Sequence, residues 1–326
     1  MRMTNVRGFW RIAGFTVAAI ILASVVATLL YFPWNTDPQG DESSSGALSN
    51  YYKGAYSSGE ASKKAPANAE LPPLSAKEQY YVDFARKTAS DYEIPKLVDT
   101  FVAIGNLKDK KVLEVGAGSG LLQDAVADYT GLDISPTARR FFHKPFVEAS
   151  ATEMPFPDNT FDGLWTIWVL EHIPNPEKAL LEMRRVVKPG GYILMYPAID
   201  VSRYAAQGYA VRPYGSFDWK GKLIKATMPV TESKVFHYLQ YHQVRLLRWL
   251  GVSLLGGPSR LHFTRLTPNY DEYWVNDSDA TTSVSQQELY LWFTSRGDRC
   301  VNCPSAMTMT LHDARPNGLV IQVNKH

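Results

Sequence analysis

The sequence predicts an α/β protein on a doubly wound, mostly parallel sheet that ends in an antiparallel hairpin, with a transmembrane helix ahead of it. Three observations carry that expectation. The run Lys111-Val-Leu-Glu-Val-Gly-Ala-Gly-Ser-Gly120 is a short β-type stretch that ends in glycines and passes into Leu121–Ala127, which has a helical pattern. A second short strand, Thr130-Gly-Leu-Asp-Ile134, ends in an acidic residue. Far upstream, Ile12 to Phe32 is a stretch of 21 residues without a charge.

The elements follow in chain order. Residues 1–11 form a basic tail with Arg2, Arg7 and Arg11. At ~1.5 Å of helical rise per residue, residues 12–32 span the ~30 Å hydrocarbon core of a bilayer. A cleaved signal peptide is the competing reading, but the apolar run continues through Leu29, Leu30, Tyr31 and Phe32 where a small-residue cleavage site belongs. An uncleaved, single-pass anchor is therefore expected, with Tyr31, Phe32 and Trp34 as interfacial aromatics. Residues 33–73 are rich in Ser, Gly, Ala, Pro and Lys with no apolar period, the composition of a flexible tether. The globular pattern begins at Leu74, with helices expected over 75–89 and 94–104.

Composition narrows the function. Of 326 residues, 45% are hydrophobic and 20% charged, enough apolar material for a packed core. A net charge of +2 lacks the basic excess of a nucleic-acid binder, so no nucleic-acid partner is expected. Two cysteines, Cys300 and Cys303, exclude a disulfide framework and a four-cysteine zinc site; a local disulfide and two unused thiols both stay open. The glycines let the backbone turn tightly and approach a ligand, and Asp133, at the end of the second strand, is placed to accept from ribose hydroxyls. A nicotinamide-dependent oxidoreductase is disfavoured, because its glycine fingerprint requires Gly at the position of Leu121 and an acidic residue farther along than Asp133.

Three further stretches specify the ligand: Ala151-Thr-Glu-Met-Pro-Phe-Pro-Asp-Asn-Thr-Phe-Asp162, Trp165-Thr-Ile-Trp-Val-Leu-Glu-His172, and Glu177 through Lys188-Pro-Gly-Gly191. With the glycine run, these closely resemble the class I S-adenosylmethionine-dependent methyltransferases over about Lys111 to Met195, and specifically a methyltransferase type 11-like domain. The resemblance implies a seven-stranded Rossmann-like methyltransferase fold with S-adenosyl-L-methionine as cofactor. It implies that Glu114, Gly116, Ala117 and Gly118 lie against the methionine part, that Asp133 and Ile134 meet the ribose, and that Ala151 and Thr152 meet the adenine. Thr166 and Trp168 would flank the sulfonium. Ser150 stands where the family commonly has an acidic adenine contact, and the short spacing from Gly120 to Asp133 shortens the first crossover helix. The fifth strand is expected at Tyr192–Met195 after a helix stopped by Lys188-Pro-Gly-Gly191, and the terminal hairpin at Ala306–Leu311 and Leu319–Val323.

The methyltransferase domain is expected over 74–326, and the stretch from Pro197 to Cys303 is far longer than the fold requires, which assigns substrate recognition to an insert within 197–303. From Val201 to Arg265 ten bases face only Asp218 and Glu232, whereas Leu266 to Cys303 is net acidic. An anionic head group or membrane surface for the first half, and internal pairing between the halves, are both open. Val235 to Leu250 reads as an amphipathic helix, expected to serve core or cap packing rather than to lie on a membrane surface. His172 is the candidate general base, following the fourth strand beside the expected methyl position; a structural role is the alternative, since a sulfonium donor needs little more than orientation of the acceptor. Asp277 and Asp279 read as a turn, and no metal is expected.

The activity expected is methyl transfer to an O, N or C nucleophile of a small or lipid-linked acceptor near a membrane. A non-catalytic, membrane-anchored cofactor-binding module on the same fold is the alternative. Arg2, Arg7 and Arg11 place the amino terminus in the cytoplasm and the domain outside, but the cofactor is made in the cytoplasm; in a bacterium the domain is therefore expected to face the cytoplasm, with a lumenal arrangement open in a eukaryote. Oligomeric state is left open.

Overall fold

The computed structural model describes residues 76–270, 275–311 and 317–325, together with 14–16, 18, 19 and 22. The basic tail and the tether lie outside the described residues, as does most of the expected span at 12–32. Among the described residues no helix is long and apolar enough to cross a membrane.

Period-two alternation builds the centre of the molecule. In strand β1 (Lys111–Val115), Leu113 and Val115 enter one core while Val112 enters another on the opposite face. The same division separates Leu164 from Trp165 in β4 (Phe161–Ile167), Ile193 and Met195 from Leu194 in β5 (Val187–Tyr196), and Leu319 and Ile321 from Val320 in β9 (Leu319–Gln322). A sheet apolar on both faces must be covered on both. Helix α1 (Ala76–Asp91) precedes α2 (Ile94–Gly105), which covers one face with Ile94, Leu97, Val98 and Phe101; α3 (Pro176–Val186) covers the other with Leu180 and Met183.

With β2 (Asp128–Asp133), β3 (Phe146–Glu148) and β8 (Arg299–Cys300), these strands form a seven-stranded sheet of order β3-β2-β1-β4-β5-β9-β8. Pairing is parallel from β3 to β5, and β9 is antiparallel to both β5 and β8. The order runs outward in both directions from the β1–β4 pair, so connections leave to opposite sides there and open a crevice at the carboxyl ends of the strands.

Three local expectations are corrected. Leu121–Ala127 is a series of turns with no helix: the connection from β1 to β2 has only residues 116–127, too few for a stable helix and two turnings. Leu122 and Val126 are buried, and the Gln123 amide donates to the Gly120 and Phe141 carbonyls. Ala306–Leu311 is a helix, α7, because Ser305 caps it by accepting from the Thr308 N–H at 3.2 Å and because Met309 and Thr310 bury adjacent positions on one helical side. The antiparallel partner of β9 at the sheet edge is therefore β8, joined by a long connection rather than a tight hairpin turn. Strand β5 begins at Val187, directly after α3, so Lys188-Pro-Gly-Gly191 lies inside the strand with an irregular register against β4.

The region 197–303 holds α4 (Trp219–Thr231), α5 (Lys234–Leu255), a two-stranded sheet of β6 (Thr264–Arg265) and β7 (Thr282–Ser283), and α6 (Gln286–Thr294). Leu289, Trp292 and Phe293 of α6 join the core beside α3, which locks this region onto the sheet. Charge pairing between the two halves is real in part: the Arg248 guanidinium donates to both oxygens of Glu288, at 2.7 and 2.8 Å, and both side chains are largely buried. Cys300 and Cys303 form a disulfide at the end of β8. Because Arg248→Ala leaves the Glu288 carboxylate buried without its partner, it should lower stability by about 3 kcal/mol in urea unfolding.

Candidate active site at the carboxyl edge of the sheet

The glycine turn follows β1 directly. Gly116, Gly118 and Gly120 all have φ between 48° and 74°, the left-handed region that side chains resist. A Cβ on Gly116 would lie 2.1 Å from the Val169 side chain, so the β1 turn and the segment after β4 close on one another only with glycine there. Gly116 and Ala117 both donate their N–H groups to the Leu132 carbonyl, at 2.8 and 3.0 Å, which fastens the turn to β2.

At the end of β2, the Asp133 carboxylate accepts from the Gly118 N–H at 2.8 Å and from the Ser135 N–H at 2.9 Å. Burial pushes its pKa up, and these N–H bonds, with one from Ile134, work against the rise. Ile134 is half-buried beside it. Glu114 lies one residue before the turn, buried, accepting a short hydrogen bond from the Tyr129 hydroxyl; burial carries its pKa to about 7. After β3, Ser150 and Thr152 join hydroxyls at 2.9 Å, and Ala151 is half-buried between them. Thr166 is buried at the end of β4, and its hydroxyl has no hydrogen-bond partner among the described residues. Trp168 follows in the left-handed region at φ 54°, with Tyr92 against its edge and Tyr196 tilted beside it.

His172 closes a short 3-10 turn, Leu170–His172, and meets residues that sequence reading left out of the site. Its Nδ1 lies 3.7 Å from Asp279 Oδ1 and its Nε2 lies 3.8 Å from Glu171 Oε1. Burial depresses the imidazole pKa, but Asp279, Glu171 and Asp277 together outweigh it and the net shift is upward. Glu171 is fully buried and raised to about 7 by that burial, and burial also raises Asp277. The site thus brings together an imidazole and three carboxylates, two of them more than 100 residues away in the chain. Their only local signals were the acid next to His172 and the Asn-Asp-Ser-Asp turn. Asp277 also lines a cavity of about 460 Å³ beyond the end of β5, with Val201, Tyr204, Ala205, Met228 and Glu232.

These residues fit S-adenosyl-L-methionine: a left-handed turn that brings backbone close to a ligand, a buried carboxylate at the next strand end, and a crevice at the reversal of strand order. Comparison with known sequences agrees. A family profile described as a methyltransferase domain matches residues 113–195. The chain is 30% identical over 192 residues to the ubiquinone/menaquinone biosynthesis C-methyltransferase UbiE of Cupriavidus taiwanensis, covering 51% of this chain and 79% of that one. It is 34% identical over 107 residues to the sterol 4-C-methyltransferase strm-1 of Caenorhabditis elegans, a match that spans 28% of this chain and 32% of the relative. A demethylmenaquinone methyltransferase of Renibacterium salmoninarum is 36% identical over 103 residues, 43% of its length. Among solved structures, a putative S-adenosyl-L-methionine-dependent methyltransferase from Methanococcus maripaludis overlaps 68% of this chain and 97% of its own, at 14% identity and a TM-score of 0.36.

The chain belongs to the class I S-adenosylmethionine-dependent methyltransferases. Its cofactor is S-adenosyl-L-methionine.

Two outcomes are expected. Asp133→Ala should weaken cofactor binding by about 1.5–3 kcal/mol in calorimetry, the loss of a charge-assisted acceptor. Glu171 carries a raised value in the folded chain, about 7 against an ordinary 4.5, so its contribution to stability is full below pH 4.5 and lost as pH rises through 7. Glu171→Gln cannot ionise, so its urea midpoint should fall less than the parent's between those two limits.

Proposed function

We propose that the enzyme methylates an O, N or C nucleophile of a small or lipid-linked acceptor, held in the cavity beside Asp277 with His172 as general base. The observation that supports this most is the placement of His172: it follows the end of β4 and shares its carboxylate neighbour Asp277 with the cavity wall. Bound S-adenosyl-L-methionine supplies an electrophilic methyl group. The remaining work falls to the chain. Gly116 to Gly118 and Asp133 hold the cofactor at the crevice, with Glu114 behind the turn. Ile134, Ala151 and Thr152 border the nucleoside, and Thr166 and Trp168 border the reacting end. His172 accepts the acceptor's proton, and the Asp279 carboxylate 3.7 Å from its Nδ1 stabilises the imidazolium that results.

The names of the relatives, two from quinone biosynthesis and one from sterol methylation, favour a lipid-soluble ring compound as acceptor. Such an acceptor accords with the expected single-pass anchor at 12–32, which would hold the domain at a membrane. The domain is then proposed to face the compartment that contains the cofactor, the cytoplasm in a bacterium.

Lipid extracts incubated with the full chain and isotopically methyl-labelled cofactor should yield a labelled product by mass spectrometry. His172→Asn should lower kcat by roughly 10²–10⁴-fold with cofactor affinity unchanged. Cofactor binding with no labelled product across a broad acceptor panel would instead support a binding module. An unchanged kcat in the variant would remove His172 from the chemistry.

A further inference from the structure

Among the described side chains of α4 and α5, several polar groups turn inward while large apolar groups turn outward. On the inner side of α4, Lys225 donates to the carbonyls of Tyr209 and Arg212, and Met228 lines the cavity. On the inner side of α5, Val244 and Arg245 are buried, the Gln287 amide donates to the Arg245 carbonyl, and Arg248 holds Glu288. Facing outward along α4 are Trp219, Leu223 and Val230, at 70%, 59% and 62% exposure, with exposed Ala226 between them at helical spacing. Facing outward along α5 are Leu246, Leu247, Leu250, Leu254 and Leu255, the last two 82% and 88% exposed. A soluble surface rarely concentrates large apolar groups in this way unless something covers them.

We propose that this α4–α5 face docks on an anionic lipid bilayer. Charge selects that occupant: Lys220 and Lys222 are exposed beside Trp219, and Arg260 is exposed after α5. Leucines bordered by basic groups, with a tryptophan at the margin, match a membrane interface. Docking holds at the lipid surface the helix α4, whose inward-facing Met228 lines the cavity. The inference stands whether or not the acceptor is itself lipid-linked.

The test uses the full chain reconstituted in phosphatidylcholine vesicles with and without phosphatidylglycerol. An NBD reporter is attached to Leu223→Cys, to Leu250→Cys, or to Leu181→Cys, an exposed position of α3, as a reference. Docking predicts a blue shift and roughly twofold stronger quenching by doxyl-labelled lipid at 223 and 250 than at 181, enhanced by phosphatidylglycerol. Adding Leu247→Glu and Leu254→Glu should abolish the difference and leave cofactor binding intact. Equal quenching at all three positions would overturn the proposal. So would a blue shift that persists in lipid-free detergent with cross-links between copies, since the face would then be covered by a second chain.

Discussion

The left-handed turn at Gly116 is the constraint on which the site depends. Strand β1 must leave the sheet where the strand order reverses, and the Val169 side chain already fills the space that any Cβ there would need. The same turn directs the Gly116 and Ala117 N–H groups onto the Leu132 carbonyl and brings the Gly118 N–H onto Asp133. Three strand ends are thereby tied by one backbone conformation. The energetic support comes from beneath, where both faces of the sheet are buried and the alternation of β1, β4 and β5 fixes the register. A slip of one residue in β1 would drive Glu114 into the core that Leu113 and Val115 now occupy.

Charge near His172 follows a different logic. Three carboxylates share a poorly hydrated site with one imidazole, and burying like charges together is costly unless protons are retained. Burial accordingly raises the Glu171 carboxyl, to about 7. The cluster therefore couples its protons, with the imidazole between Asp279 and Glu171 and with Asp277 reaching the cavity wall. Asp133 is likewise buried and raised by that burial, with the Ser135, Gly118 and Ile134 N–H groups working against the rise.

How much of this was legible in the sequence depended on how local the signal was. The strand, glycine turn and acidic strand end at Lys111–Asp133 are contiguous, and each residue type has a direct backbone or hydrogen-bonding reason. The helix read into Leu121–Ala127 failed because a seven-residue apolar pattern serves equally well in turns that must bury Leu122 and Val126. The strand read into Ala306–Leu311 failed because alternation over six residues competes with a Ser305 cap that was overlooked. The approach of Asp279 to His172 could not be read at all, since it is set by how the 197–303 region folds back on the sheet. The pairing of Arg248 with Glu288 belongs to the same class: composition indicated opposite charge in the two halves but not which members would meet.

The position of β9 in the sheet also has a consequence in time. It lies between β5 and β8, yet 122 residues separate the end of β5 at Tyr196 from its start at Leu319. At ribosomal speeds of ~5–20 residues per second, the edge Tyr192–Met195 waits roughly 6–24 s after its synthesis before a partner strand exists. During that interval the nascent chain displays an unpaired apolar edge while the leucine-rich α5 is being made. The half-built sheet thus keeps one edge open, and it can be completed only once 197–318 has been made.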